Sequence, residues 1–101
     1  MMKPEAIIHV RFLTTDEGGR KSPISGERYG CPVMVGSDGY DCRFVLSDIL
    51  FELGKEYDIP IKFLNPNIAF QHLQVGTEIS LWEGKTIGIG KVVKLISNEE
   101  D

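Results

Sequence analysis

The alternation of apolar and polar residues along the chain is the feature that most constrains its fold. In the segment "AIIHVRFL", Ile8, Val10 and Phe12 fall on one side, and His9 and Arg11 fall on the other. A period of two residues is typical of a strand that buries one face. No window keeps the i, i+3, i+4 spacing of an amphipathic helix. The pattern therefore predicts an all-β protein.

Six segments carry this strand pattern, and they read AIIHVRFL, GCPVMVG, YDCRFVLS, YDIPIKFL, TEISLW and TIGIGKVVKLI. Six strands around one short core must close on themselves or fold over to hide their edges. We therefore predict a six-stranded antiparallel closed β-barrel. The segment "SDILFEL" is also compatible with a short helical turn, although such a short apolar run does not distinguish a helix from a strand.

Three local signals refine this prediction. In "SDG" the pair Asp38 and Gly39 predicts a tight hairpin turn, because such turns need a positive φ. Pro60 cannot donate a ladder hydrogen bond, which places its strand at an edge or a seam of the sheet. Gly88 and Gly90 in the last strand indicate a bulge or a place where another backbone approaches closely.

The length of 101 residues predicts a single domain, with a core over about 6–96 and an acidic tail over 97–101. The net charge of −4 argues against generic nucleic-acid binding, so any RNA contact would be local. No stretch reaches the length of a membrane helix, and His9 and Arg11 interrupt the apolar N-terminal run, unlike a signal peptide. We expect a cytoplasmic protein without a membrane partner.

Two motifs resemble nucleotide-binding loops, but each lacks a glycine that such a loop requires. "GKT" at Gly84 to Thr86 would need a glycine where Ile79 stands, and it lies between two strands. "GIGKVV" has Val93 in place of the third glycine of a dinucleotide fingerprint. We therefore predict that the chain binds no nucleotide and carries no cofactor.

The cysteines and histidines show no pattern of catalysis or metal binding. Cys31 and Cys42 flank a predicted turn and could face each other, but two reduced thiols are the simpler interpretation. Neither cysteine forms a recognisable nucleophile and base with His9 or His72, and no close pair of ligands suggests zinc. The prediction is a protein that is not an enzyme and has no metal site.

Trp82 is the side chain that the alternation leaves least explained. Because Ile79 and Leu81 point inward, Trp82 points outward beside "EGK" at the end of its strand. An exposed Trp there is a candidate contact for a partner protein or a stacked base. The alternative is a ring that lies over its own barrel end as a lid.

Two glycine-containing loops carry a resemblance to a known family. "VRFLTTDEGGRKSPI" followed near the C-terminus by "VGTEISLWEGKTIGIGKVVKLI" resembles the C-terminal, third domain of elongation factor Tu, here as a stand-alone domain. The likeness covers about 6–96, with weaker matches at "RYG" and "LGKEYDIPIKFLNP". It implies a six-stranded antiparallel barrel without GTP contact that packs on other domains, contacts the T stem of aminoacyl-tRNA and meets the exchange factor.

The resemblance also implies roles for individual residues. Arg20 and Lys21 match the basic pair that reaches the tRNA backbone. Glu83 and Gly84 match the second loop, which faces the same stem. Trp82 stands where the family has Arg, and Lys85 stands where the family's loop has its second Gly. Gly18 and Gly19, with Gly88 and Gly90, are the predicted structural turn glycines.

Three functions remain open from the sequence. The first is a non-catalytic module that binds RNA, such as tRNA, through the two loops. The second is a protein-interaction module that docks on a translation factor or on an unrelated partner, or that forms a homo-oligomer through exposed barrel faces. The third is a barrel that keeps only the fold.

Overall fold

The computed structural model describes residues 3–96, which contain eight strands, one 3₁₀ helix and one α-helix. In chain order they are β1 (Ala6–Phe12), the 3₁₀ helix (Thr15–Glu17), β2 (Ile24–Gly26), β3 (Gly30–Val35), β4 (Asp38–Phe44), β5 (Ile49–Phe51), β6 (Glu56–Phe63), α1 (Pro66–Phe70), β7 (Glu78–Trp82) and β8 (Thr86–Leu95). The predicted acidic tail over 97–101 lies outside the described residues. None of the helices within 3–96 is long and apolar enough to cross a membrane.

Six of the strands form a closed barrel in the order β1-β6-β4-β3-β7-β8, and every pairing is antiparallel. This arrangement confirms the predicted six-stranded antiparallel closed barrel. The inward positions are those that the alternation predicts, and they include Ile8, Val10, Phe12, Val33, Phe44, Ile59, Ile61, Phe63, Ile79 and Leu81, all buried. Burial of each of the large side chains contributes roughly 1.5 to 3 kcal/mol, so this core is the main source of stability.

A small second sheet covers one end of the barrel. β2 and β5 pair antiparallel outside the barrel, with Ser25 opposite Leu50. Phe51 of β5 stacks on Phe12 with 5.3 Å between ring centroids, and its ring also contacts Phe44 and Tyr57. The segment "SDILFEL" therefore contains a strand and not the helical turn that we considered, because pairing with β2 and burial of Phe51 favour the extended form.

The helix α1 covers the opposite end of the barrel. Asn65 precedes Pro66, which occupies the first turn, where the missing N–H costs nothing. Phe70 packs edge-on against Phe63 of β6 at 5.7 Å, and Ala69 is buried. The alternation of apolar and polar residues did not predict this helix, because the helix is only five residues long and Ala69 is its one buried residue.

The hairpin between β3 and β4 uses a different turn from the predicted one. Val35 pairs with Asp38, so the turn residues are Gly36 and Ser37, and Gly36 has φ of 63°. Asp38 and Gly39 belong to β4. A two-residue turn with glycine first satisfies the twist of a tight hairpin, which the "SDG" prediction placed two residues too late.

This hairpin also places the two cysteines directly opposite each other. Cys31 and Cys42 form a cross-strand pair, both are buried, and both are free thiols. The Sγ of Cys42 donates to the backbone oxygen of Cys31 at 3.3 Å. The contact with Cys31, together with burial, raises the pKa of the Cys42 thiol.

Pro60 lies at a seam between two strands of the barrel. Its carbonyl accepts a hydrogen bond of 2.8 Å from the backbone N–H of Val45. The backbone N–H and C=O of a strand residue point to the same neighbouring strand. The position where Pro60 lacks an N–H therefore faces β4, just beyond the last pair of β4 with β6, Phe44 with Ile61. The bond from Val45 is therefore made without its reciprocal, because Pro60 has no N–H to donate, and in the closed barrel this position is a seam and not an edge.

Close approach of β1 and β8 closes the barrel at two glycines. A β-carbon built on Gly90 would lie 1.7 Å from the backbone oxygen of His9, and one on Gly88 would lie 2.8 Å from Val10. β8 also bulges, because Leu81 pairs with Gly88 whereas the next residue of β7 pairs with Thr86. Both features that we predicted from the two glycines are present.

Substitution of Gly90 by alanine is expected to lower the free energy of unfolding by about 3 kcal/mol, because the added methyl group collides with fixed backbone of β1. Gly39→Ala is the matched control. Its β-carbon would meet the sulfur of Met34 at 2.9 Å, and that flexible side chain can move away. Urea unfolding of both variants measures the difference. Equal stability of the two variants would contradict the close approach at Gly90.

Candidate binding surface

The first loop of the predicted pair begins with a capped 3₁₀ helix. Thr14 accepts a hydrogen bond from the N–H of Glu17 at 3.3 Å, and the Glu17 carboxylate accepts from the N–H of Thr14 at 2.9 Å. This reciprocal capping box follows from the Thr-x-x-Glu spacing. Gly18 ends the helix with φ of 91°, a value that L side chains rarely adopt. Glu17 therefore has a structural role in this loop.

Glu17 also pairs with Arg11 on the outer side of β1. Both oxygens of its carboxylate accept from the Arg11 guanidinium at 2.9 Å. The Arg11 contact, assisted by the bond from Thr14, lowers the pKa of Glu17 to about 2. Arg11 is therefore compensated within the loop region and is not a free cation.

The second loop is the turn between β7 and β8. The N–H of Glu83 donates to the carbonyl of Lys85 at 2.8 Å, and Gly84 between them has φ of 73°. This narrow turn directs the Glu83 side chain to the first loop, where Arg20 lies.

Arg20 and Glu83 connect the two loops. The Nη1 of Arg20 donates to both carboxylate oxygens of Glu83, at 2.8 and 2.6 Å, and its Nε donates to the carbonyl of Ser22 at 3.0 Å. The hydroxyl of Tyr29 donates to the same carboxylate. Burial of Tyr29 and this bond raise its pKa above the ordinary value. We call this cluster of Arg20, Glu83 and Tyr29 the loop lock.

The loop lock determines which of the predicted site residues are available to a ligand. The Arg20 side chain is only 22% exposed, and its guanidinium is already bound to a carboxylate, so a phosphate would have to displace Glu83. Lys21 and Lys85 are exposed, and neither forms an ion pair with any residue within 3–96. The two loops do meet, which the sequence alone left open, and their contact joins opposite charges.

Trp82 points away from the barrel at the edge of the lock. It is 44% exposed, and its outward position is the one that the alternation predicts. Ile89 of β8 is 46% exposed. Ser80 of β7 pairs with Ile89, and Trp82 is the next residue of β7 on the same face, so Trp82 and Ile89 are diagonal neighbours. They form an exposed apolar pair on the outer face of the barrel.

A groove of about 670 Å³ runs along this outer face. Its lining carries both signs of charge, and the residues are His9, Arg11, Glu56, Glu78, Ile79, Ile89, Gly90 and Lys91. Lys91 thus lies among carboxylates and does not extend a positive surface from Arg20.

His9 is held between two carboxylates at this groove. Its Nε2 lies 2.7 Å from Glu56 and its Nδ1 lies 2.7 Å from Asp58. A ring that donates from both nitrogens is protonated, and these two contacts, Glu56 first, raise the pKa of His9 above 6.5. The sequence assigned His9 only to the outer face, because the register that brings Glu56 and Asp58 beside it comes from pairing with β6.

Comparison with known proteins finds no family model and no curated protein that matches the chain. Within residues 3–96, no three side chains of His, Cys, Asp or Glu converge in an arrangement that could hold a metal ion. The candidate site is therefore defined by the loop lock, by the exposed pair of Trp82 and Ile89, and by the groove beside them.

A double-mutant cycle on Arg20→Ala and Glu83→Ala is expected to give a coupling free energy of about 1 kcal/mol, since Nη1 of Arg20 contacts both carboxylate oxygens and the pair is partly shielded from water. The more exposed pair of Lys55 and Glu52 is the control, and a smaller coupling is expected there. Urea unfolding of the single and double variants measures both values. A coupling for Arg20 and Glu83 no larger than the control would contradict a lock between the loops.

The raised pKa of His9 predicts a pH-dependent stability. Its two hydrogen bonds stabilise the fold fully below pH 6.5, and this contribution is lost as the pH rises through the higher pKa of the folded state. Unfolding measured over a pH series should show this loss in the wild type and in a Glu52→Gln control, but not in His9→Gln. The same pH dependence in His9→Gln would rule out this assignment.

Proposed function

We propose that the chain is a non-catalytic binding module that contacts a protein partner through Trp82, Ile89 and the adjoining groove. The observation that carries the proposal is the loop lock. Because Glu83 already binds Arg20, the predicted RNA contact at Arg20 is occupied, and the exposed ring of Trp82 remains as an apolar anchor beside it.

The charges around the ring support a protein partner. Arg11 is bound by Glu17, His9 lies between two acids, and Glu78 stands opposite Lys91. Protein interfaces combine an aromatic or aliphatic anchor with a polar rim of mixed charge, which Trp82, Ile89 and these residues provide. A polyanion would meet about as much repulsion as attraction here.

RNA is the second candidate, and one observation favours it. Lys21 and Lys85 lie on the two loops that the lock holds together, both are exposed, and neither is paired with a residue within 3–96. With Trp82 beside them, these lysines would supply two phosphate contacts and one stacking platform for a single strand. Such binding would be weak and would depend strongly on salt.

The resemblance to the third domain of elongation factor Tu extends the proposal to the kind of partner. On that resemblance the partner is a translation factor or tRNA. It remains a prediction from the "EGGRK" and "WEGK" motifs. An unrelated protein, or a second copy of this chain that covers the exposed apolar pair, would satisfy the same surface.

Affinity capture from native lysate tests the protein proposal. Trp82→Ala should reduce recovery of the specific partner by at least about tenfold, since a central Trp is a typical hot spot. Leu50→Ala is the control, because Leu50 is exposed on β5, which is not one of the barrel strands that carry Trp82 and Ile89. Recovery should be unaffected by ribonuclease.

The alternatives give distinct results. Recovery that ribonuclease abolishes, and that Lys21→Ala with Lys85→Ala weakens, would favour RNA over a protein partner. Sedimentation of the purified chain over a concentration series detects a second copy as the partner. Equal capture by wild type and Trp82→Ala would reject the proposed surface.

A further inference from the structure

A second pocket lies beside β3 and β4, apart from the Trp82 face. It has a volume of about 430 Å³ and is lined by Glu27, Arg28, Tyr29, Arg43, Phe44 and Leu46. This volume is within the usual range for small-molecule sites. The pocket is thus lined by two arginines and by apolar side chains, of which Phe44 also belongs to the core and Tyr29 to the loop lock.

The two arginines of this pocket lack counter-ions. Arg28 and Arg43 are both exposed, and neither forms a hydrogen bond or an ion pair from its side chain within residues 3–96. Arg11 and Arg20, by contrast, are each bound to a carboxylate. In an acidic protein with a net charge of −4, two uncompensated arginines at one pocket are a local exception.

Neighbouring charge adds to this local excess. Arg43 pairs across the sheet with Lys62 of β6, and like charges directly opposite each other are destabilising. On the other side Arg43 faces Gly30 of β3, which carries no side chain. The Nζ of Lys62 lies 3.5 Å from Glu5, so Lys62 is only partly compensated by that contact. An anion bound at Arg43 would relieve the repulsion.

The rest of the lining suggests an apolar body for the ligand. The rings of Tyr29 and Phe44 lie 5.1 Å apart in a tilted pair, and Leu46 is partly exposed beside the arginines. Aromatic and aliphatic walls with a few charged groups are typical of sites for small organic anions. Glu27, the one acid of the lining, would oppose an anion.

We propose that this pocket binds a small phosphomonoester carried on an aromatic or apolar group, with Arg28 and Arg43 as the phosphate ligands. A phosphomonoester is close to a dianion at neutral pH, so one group balances both arginines. Guanidinium groups present paired N–H donors that match phosphate oxygens. The apolar part of the ligand lies against the wall that contains Leu46.

Titration of the full chain with phenyl phosphate at low salt, followed by NMR or calorimetry, tests this assignment. Saturable binding is expected, and Arg28→Gln and Arg43→Gln should each weaken it by about tenfold or more. Glu27→Gln should tighten binding by roughly threefold, because it removes a repelling charge. Lys94→Gln is the matched control, since it removes one exposed positive charge on β8 and should change little.

Inorganic phosphate and benzoate serve as comparison ligands. Weaker binding of inorganic phosphate than of phenyl phosphate would support the apolar wall. Benzoate that binds as tightly as phenyl phosphate would overturn the phosphate assignment. Absence of saturation at millimolar phenyl phosphate, or equal weakening by Arg43→Gln and Lys94→Gln, would overturn the site itself. All four substitutions are at exposed positions, and circular dichroism verifies that the variants fold.

Discussion

The pairing of β1 with β8 is the constraint on which the rest of the structure depends. It closes the barrel, and it requires the backbone of His9 to approach Gly90 more closely than any side chain permits. The same pairing continues beyond the strands, where the N–H of Leu13 donates to the carbonyl of Ile87 at 2.9 Å. The loop that follows β1 is thereby brought against the turn that precedes β8, and Arg20 reaches Glu83.

Closure thus decides the chemistry of the candidate surface. Cations and acids far apart in sequence become partners, as Arg20 and Glu83 show. With these charges compensated, the outer face presents Trp82 and Ile89 within a mixed-charge rim, and the proposal of a protein partner rests on this arrangement. The uncompensated arginines lie elsewhere, at the pocket beside β3 and β4.

Much of the barrel could be predicted because its signal is local. The alternation in β1, β6 and β7 assigns inward and outward residues without any knowledge of pairing, and the exposure of Trp82 follows from it. Short elements with few inward residues were missed or misread. The helix α1 buries little beyond Ala69, and β5 becomes a strand only because β2 pairs with it. An apolar pattern over only about three residues does not distinguish a short helix from a short strand.

The sequence by itself determined the strand pattern, the two turn-forming loops and the outward position of Trp82, because each depends on neighbouring residues and on steric rules of the backbone. The barrel was predicted from a different argument, since six strands around one short core must hide their edges. Only the tertiary structure decided which charges meet. Strand register brings Glu56 and Asp58 beside His9, and barrel closure brings Glu83 to Arg20. The energy of a charge depends on what lies within a few ångströms of it, and in a sheet of long-range pairings those neighbours are distant in sequence.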